Sequence, residues 1–135
     1  MGRPVLILLD THVLIWLAQD YRRISPTALS AIERARQQSR GLAVASITFV
    51  EVARLASYGQ IRCIPDVDTL LREFERRFVI LPITASIALQ AFELPASYPR
   101  DPADRIIGAT SLVEDIPLIT ADRDIRKSRA VPTIW

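Results

Sequence analysis

Four acidic residues, Asp10, Glu51, Asp104 and Asp122, lie far apart in the chain, yet each falls beside an expected strand or in the first turn of an expected helix. Carboxylates gathered in one place repel, and two of them 4 Å apart do so by roughly 4 kcal/mol at an effective dielectric of 20. Four together would raise one another's pKa values or push apart. A divalent cation removes that conflict. All-oxygen ligation without paired His or Cys suits Mg2+ or Mn2+ rather than zinc. Such an ion activates water, orients a phosphodiester and offsets the charge on the departing oxygen. His12 is the only histidine and Cys63 the only cysteine, so a zinc site would be short of ligands and a two-imidazole acid–base nuclease cannot be built from one chain. No G-x-S-x-G elbow is present, and the four glycines (Gly2, Gly41, Gly59, Gly108) form neither a P-loop nor a dinucleotide fingerprint.

Whether the acids can meet depends on the elements that carry them. Val5–Leu9 is a continuous apolar run, as expected of a strand buried on both faces, and a helix follows from about Thr11 to Ala18. Ser25-Pro26 starts a second helix, with Ser as cap and Pro in the first position; it runs to about Ser39 and ends at Gly41. Leu42–Ala45 reads as the next strand, Thr48 to Ser57 as a helix closed by Gly59, and Asp66 to Arg76 as another helix. Phe78–Leu81 reads as a strand and Thr84 to Phe92 as a helix; Pro95, Pro99 and Pro102 then mark an extended loop. Asp101-Pro102 opens a helix to about Glu114. Leu118–Thr120 (strand), Asp122–Ser128 (short helix) and Pro132–Trp135 (edge strand) complete the chain. Strands alternating with helices predict a three-layer α/β/α fold around a mostly parallel sheet of four to five strands.

In such a sheet a helix that directly follows a strand begins at the carboxyl edge. Asp10 follows the first strand, Glu51 lies in the first turn after the second, and Asp122 sits just past Thr120. The helix holding Asp104 leads into Leu118 through a short turn, so it runs antiparallel to that strand and starts at the same edge. All four acids are thus expected on one rim, where open α/β sheets place their ligands. Each has an ordinary explanation when taken singly. Asp10 and Asp122 can be N-caps; Thr48-Phe49-Val50-Glu51 fits a capping box; and Asp101 offers a cap with Asp104 favouring the helix dipole. Capping, however, does not require helix starts to converge at one edge, whereas a metal site does.

Composition sets the outer bounds. The 135 residues suit one compact domain, 1–135, without repeats or linkers. Half are hydrophobic and 24% charged, which excludes intrinsic disorder and hints at an apolar interface with a partner. A single cysteine precludes an internal disulfide and suits a reducing cytoplasm. The uncharged stretch 78–92 contains Pro82 and falls short of the roughly 18 residues a membrane span needs, and Asp10 and His12 break the N-terminal apolar run, making it a poor signal peptide. The net charge of +2 includes fifteen acids. Setting four of them aside in a site leaves a basic surface whose cations are almost all Arg, able to grip a phosphate backbone or simply to lie solvated on helix faces.

The stretch Leu9-Asp10-Thr11-His12-Val13-Leu14-Ile15-Trp16 resembles the opening signature of the VapC-type PIN-domain toxins. Arg100-Asp101-Pro102-Ala103-Asp104-Arg105-Ile106-Ile107 is similar to their third acidic motif, Leu118-Ile119-Thr120-Ala121-Asp122 to their fourth, and Pro132-Thr133-Ile134-Trp135 to their ending. The resemblance implies a PIN-like fold and a Mg2+-dependent endoribonuclease, with Mn2+ able to substitute, that leaves a 5′-phosphate and a free 3′-hydroxyl. It implies inhibition by a cognate antitoxin that often blocks the rim, and a homodimer. By motif match Asp10, Glu51, Asp104 and Asp122 form the acidic quartet: Asp10 and Asp104 as direct ligands, Glu51 and Asp122 through water or at a second position. Thr11 and Thr120 would orient water, Asp124 would stand in for Asp122, and Arg105 would pair with an acid or touch phosphate. Gly108 and Ser111 depart from the small or apolar residues more usual in the third-motif helix, and Gly there costs roughly 1 kcal/mol of helix propensity against Ala.

Two other readings stand beside the nuclease. One is a non-catalytic RNA-binding or regulatory module of the same fold, against which the complete acid set argues. The other is a domain phosphorylated on Asp10; a haloacid-dehalogenase-like site would want an Asp where His12 stands, and the only lysine, Lys127, is poorly placed for phosphate.

Overall fold

A computed structural model describes residues 6–38, 41–63 and 65–135. In chain order the elements are β1 (Ile7–Leu9), α1 (Thr11–Gln19), a 3-10 turn (Tyr21–Arg23), α2 (Pro26–Arg36), β2 (Leu42–Ala45), α3 (Ile47–Ser57) and α4 (Val67–Arg77), then β3 (Val79–Leu81), α5 (Ala85–Glu93), α6 (Pro102–Glu114), β4 (Leu118–Ile119), α7 (Arg123–Ser128) and β5 (Thr133–Ile134). The strands form one sheet in the order β3-β2-β1-β4-β5, and every neighbouring pair is parallel.

The alternation of side chains along each strand builds the layers. Ile7, Leu9, Leu42, Val44 and Ile119 point to one face, where α1, α2 and α4 cover them with Val13, Leu14, Ile32 and Phe74. Leu8, Ala43, Ala45 and Leu118 point to the other, under Ile107 of α6 and Ile125 of α7. α5 packs on α6 through Ile87, Ala91 and Ala109. The three-layer α/β/α arrangement expected from the alternating pattern is the one observed. Register then aligns the strand ends: Leu9 pairs with both Val44 and Ile119, so the chain leaves β1, β2 and β4 at one edge. At the far end of α6, Asp115 takes a left-handed conformation (φ 54°) and turns the chain directly into β4, placing the start of α6 at that same edge.

Several boundaries differ from those the pattern suggests. β1 begins at Ile7, and Val5 lies outside the described residues. α2 stops at Arg36, capped by Gln37; Ser39 lies outside the described residues, and Gly41 is no helix end, since its carbonyl accepts from Ile7 N at 3.0 Å beside the sheet. β4 ends one residue before Thr120. Gly59 does close α3, at φ 68°, with its N–H on Ala56 O. Gly108 does not break α6, which is continuous; buried Ser111 donates to Ile116 O at 2.6 Å and helps fasten the helix end. No helix among the described residues is long and apolar enough to cross a membrane.

Candidate active site

Asp10 leaves β1 as the N-cap of α1 and is only 7% exposed. One carboxylate oxygen accepts from Thr11 N at 2.9 Å, the other from the Thr120 hydroxyl at 2.7 Å. Thr120 in turn accepts from Asp122 N at 3.1 Å, so a single hydroxyl ties the end of β1 to the start of α7. Asp122 caps α7 through Asp124 N and Ile125 N, at 2.8 and 3.0 Å.

A second set of bonds brings in α3. The Thr11 hydroxyl donates to Glu51 Oε1 at 2.6 Å and lies 2.9 Å from the Thr48 hydroxyl. Thr11 has one proton and spends it on Glu51, so Thr48 is the donor of that pair. The capping-box reading of Thr48 and Glu51 is thereby overturned: the cap residue of α3 is Ser46, without a side-chain cap bond, and both residues turn to α1 instead. The hydroxyl protons of Thr11 and Thr120 are both committed to carboxylates. These threonines orient the acids.

Electrostatics unite the set. Burial is the largest cause holding the Asp10 carboxyl above its ordinary range, with Asp122 adding to it, while the Thr120 and Thr11 bonds and His12 pull the other way. Burial likewise raises Glu51, followed by the charges of Asp10 and Asp101, against the Thr11 bond. Asp104 is pushed up to about 7, first by burial and then by Asp10, Asp101, Glu51 and Asp122. Thus Asp10, Glu51 and Asp122 all bear on Asp104, and among the described residues none of the four expected acids forms an ion pair. Asp124, by contrast, is exposed on α7 and is not among the principal charges on these carboxyls.

Arg105 corrects the expectation most sharply. Half-buried, its guanidinium forms no ion pair with an acid: it donates to the backbone carbonyls of Ala91 (3.0 Å), Leu94, Tyr98 (3.3 Å) and Pro99 (3.1 Å). Two residues read from the sequence only as caps take a further part. Thr48 sits three residues before Glu51, a spacing that puts both on one helix face. Asp101 caps α6 through Ala103 N and Asp104 N while charging the rim.

Among the described residues no group of three or more Asp, Glu, His or Cys side chains is arranged to hold a metal ion. What the rim offers is partly buried carboxylate charge, with Asp10 and Glu51 held by hydroxyls and no ion pair among the described residues. Carboxylate oxygens are the donor type that a hard divalent ion takes.

A family model described as the PIN domain matches residues 7–130. The chain belongs to the PIN-domain family. Within it the chain is VapC-type: it is 38% identical over 131 residues to Ribonuclease VapC22 of Mycobacterium tuberculosis (strain ATCC 25618 / H37Rv), across 96% of this chain and 98% of that one. A toxin-antitoxin complex from Klebsiella pneumoniae contains a PIN-like chain at 27% identity and TM-score 0.65, covering 93% of this chain and 94% of that one. DNA-bound VapBC from Salmonella typhimurium shares the fold at TM-score 0.72, 16% identity and 96% coverage of both chains.

Proposed function

We propose that this PIN domain, acting as one unit over residues 1–135, is the endoribonuclease toxin of a toxin–antitoxin pair. It hydrolyses RNA phosphodiester bonds with Mg2+, for which Mn2+ can substitute, in the cytoplasm. The observation that carries this reading is the chain of hydrogen bonds that joins Asp10, Asp122 and Glu51 through Thr120 and Thr11, with Asp104 in the first turn of α6 at the same edge of the sheet. A dication bound there supplies Lewis acidity to activate water and to offset charge on the departing oxygen. Asp10 and Asp104 are its direct holders: Asp10 is fixed in orientation by Thr11 N and Thr120, and Asp104 feels the other three acids together. Glu51, steered by Thr11 and raised in proton affinity, stands ready to take a proton at its second oxygen, and Asp122 completes the oxygen set. RNA as the substrate is supported by the similarity to a ribonuclease across nearly the whole chain.

An antitoxin as partner is supported by likeness to chains solved as toxin–antitoxin complexes. A homodimer is supported by α5, where Leu89 and Phe92 are 60% and 87% exposed beside Ile83; a twofold contact lets one such patch cover itself in a second copy. The test is cleavage of structured RNAs with Mg2+ or Mn2+, with and without EDTA, beside Asp10→Asn and Asp104→Asn. Cleavage should require the ion and both acids. Cleavage unchanged in EDTA or in the variants defeats the mechanism, and RNA binding without turnover at any metal concentration favours the non-catalytic alternative.

A further inference from the structure

Asp104 is the acid on which the other three act together, yet its helix begins after a proline-rich loop and without further contacts would be free to swing outward. Three contacts prevent this. Asp101 Oδ1 accepts from Asp104 N at 3.2 Å. Tyr98, 1% exposed, reaches over the helix and donates its phenol proton to the Asp104 backbone carbonyl at 2.8 Å. Arg105, the next residue, gathers the carbonyls of Ala91, Leu94, Tyr98 and Pro99, and so fastens the end of α5 and the loop to the first turn of α6. A half-buried cation costs free energy unless its donors are matched, and here four carbonyls match it.

Gly108 explains why the phenol can reach that carbonyl. A Cβ at position 108 would meet the Tyr98 oxygen and stand 2.6 Å from Cζ. The glycine that looks like a weakness in the helix is the opening through which Tyr98 passes. The helix-propensity cost is thereby offset by a hydrogen bond at the turn that carries Asp104.

We propose that Tyr98 and Arg105 are positioning residues that, with Gly108 as the opening, latch the first turn of α6 and hold Asp104 at the rim where it serves dication binding. This rests on the rim being the dication site. The same latch removes from the site its nearest cation in sequence, Arg105, which would otherwise neutralise Asp104. Neither side chain touches the reacting atoms; both act through the backbone that bears the acid.

The test titrates Mn2+ into the metal-free protein by electron paramagnetic resonance, without substrate, for wild type, Tyr98→Phe, Arg105→Lys and Ser111→Ala. Tyr98→Phe keeps the ring and loses only the phenol oxygen; Arg105→Lys keeps the charge but cannot span four carbonyls. Ser111→Ala removes one buried hydroxyl bond at the opposite end of the same helix and controls for lost stability, which thermal melts compare. Tyr98→Phe and Arg105→Lys should weaken Mn2+ binding roughly fivefold to tenfold, the worth of about one hydrogen bond, while Ser111→Ala leaves it within about twofold. RNA cleavage by Tyr98→Phe should fall at limiting Mn2+ and recover as Mn2+ is raised. Wild-type affinity in both latch variants, or equal weakening in Ser111→Ala, overturns the latch while leaving the nuclease reading intact. Absence of Mn2+ binding to the wild type overturns both.

Discussion

The acids of α4 and the acids of the rim are the same residue types put to opposite use. On α4, Asp68 sits 3.1 Å from Arg72, and Glu73 binds both Arg76 and Arg77. Glu73 is held below its ordinary pKa chiefly by Arg76, and Asp66 by its cap bonds to Thr69. At the rim Asp10, Glu51 and Asp104 are held above theirs by burial and by one another. The chain is rich in arginine, yet among the described residues none of the rim acids forms an ion pair. Arg105, adjacent to Asp104, is turned onto backbone carbonyls. Charge on α4 is matched within a helical turn and solvated; in the function proposed above, charge at the rim is met by a dication.

Substitutions at the rim and on α4 should therefore diverge, and the largest effect falls on the acids themselves. Asp10→Asn and Asp104→Asn should each lower RNA cleavage on the order of 10³-fold, roughly 4 kcal/mol of transition-state stabilisation. Both should fold, and Asp104→Asn should melt higher than metal-free wild type at pH 8 because a repulsive charge has gone. A smaller loss follows from freeing an acid without removing it: Thr120→Val, which deletes the donor to Asp10, should lower cleavage by about tenfold, as expected for one charge-assisted hydrogen bond.

The pH response carries a definite sign. A carboxyl whose pKa is higher in the folded state binds its proton more tightly there, so stability is greatest below its unfolded pKa and declines as pH rises through the folded value. With Asp104 raised to about 7, the melting temperature of metal-free wild type should drop relative to Asp104→Asn between pH 5 and pH 8, and Mn2+ should restore it at the upper end. A difference that grows toward acid instead would contradict the burial and repulsion assigned to Asp104. The smallest effect is on α4: Glu73→Gln and Asp68→Asn should leave cleavage and melting temperature unchanged within error, because exposed pairs contribute little.

Much of this was legible in the residues. Apolar runs and their spacing placed the strands and the rim, since a parallel sheet sends every strand end the same way and four acids sit at those ends. The finer roles were not, because they depend on competition between partners that spacing leaves open. Thr48 and Glu51 satisfy the capping-box pattern, but Thr11, remote in sequence, offers Glu51 a hydroxyl donor and wins. Arg105 looks like an acid's partner when only Asp104 is in view; four carbonyls at the end of α5 and in the loop after it claim it instead. Gly108 reads as a cost until Tyr98 is seen to lie against it.

The account stands or falls on metal-dependent chemistry at the rim. Its most direct measurement is the rate of RNA cleavage as Mn2+ is titrated into EDTA-stripped protein, wild type beside Asp104→Asn. The expected result is a rate rising from background to saturation in the wild type and staying near background in the variant. Equal rates in both proteins, or full activity before any metal is added, would contradict it.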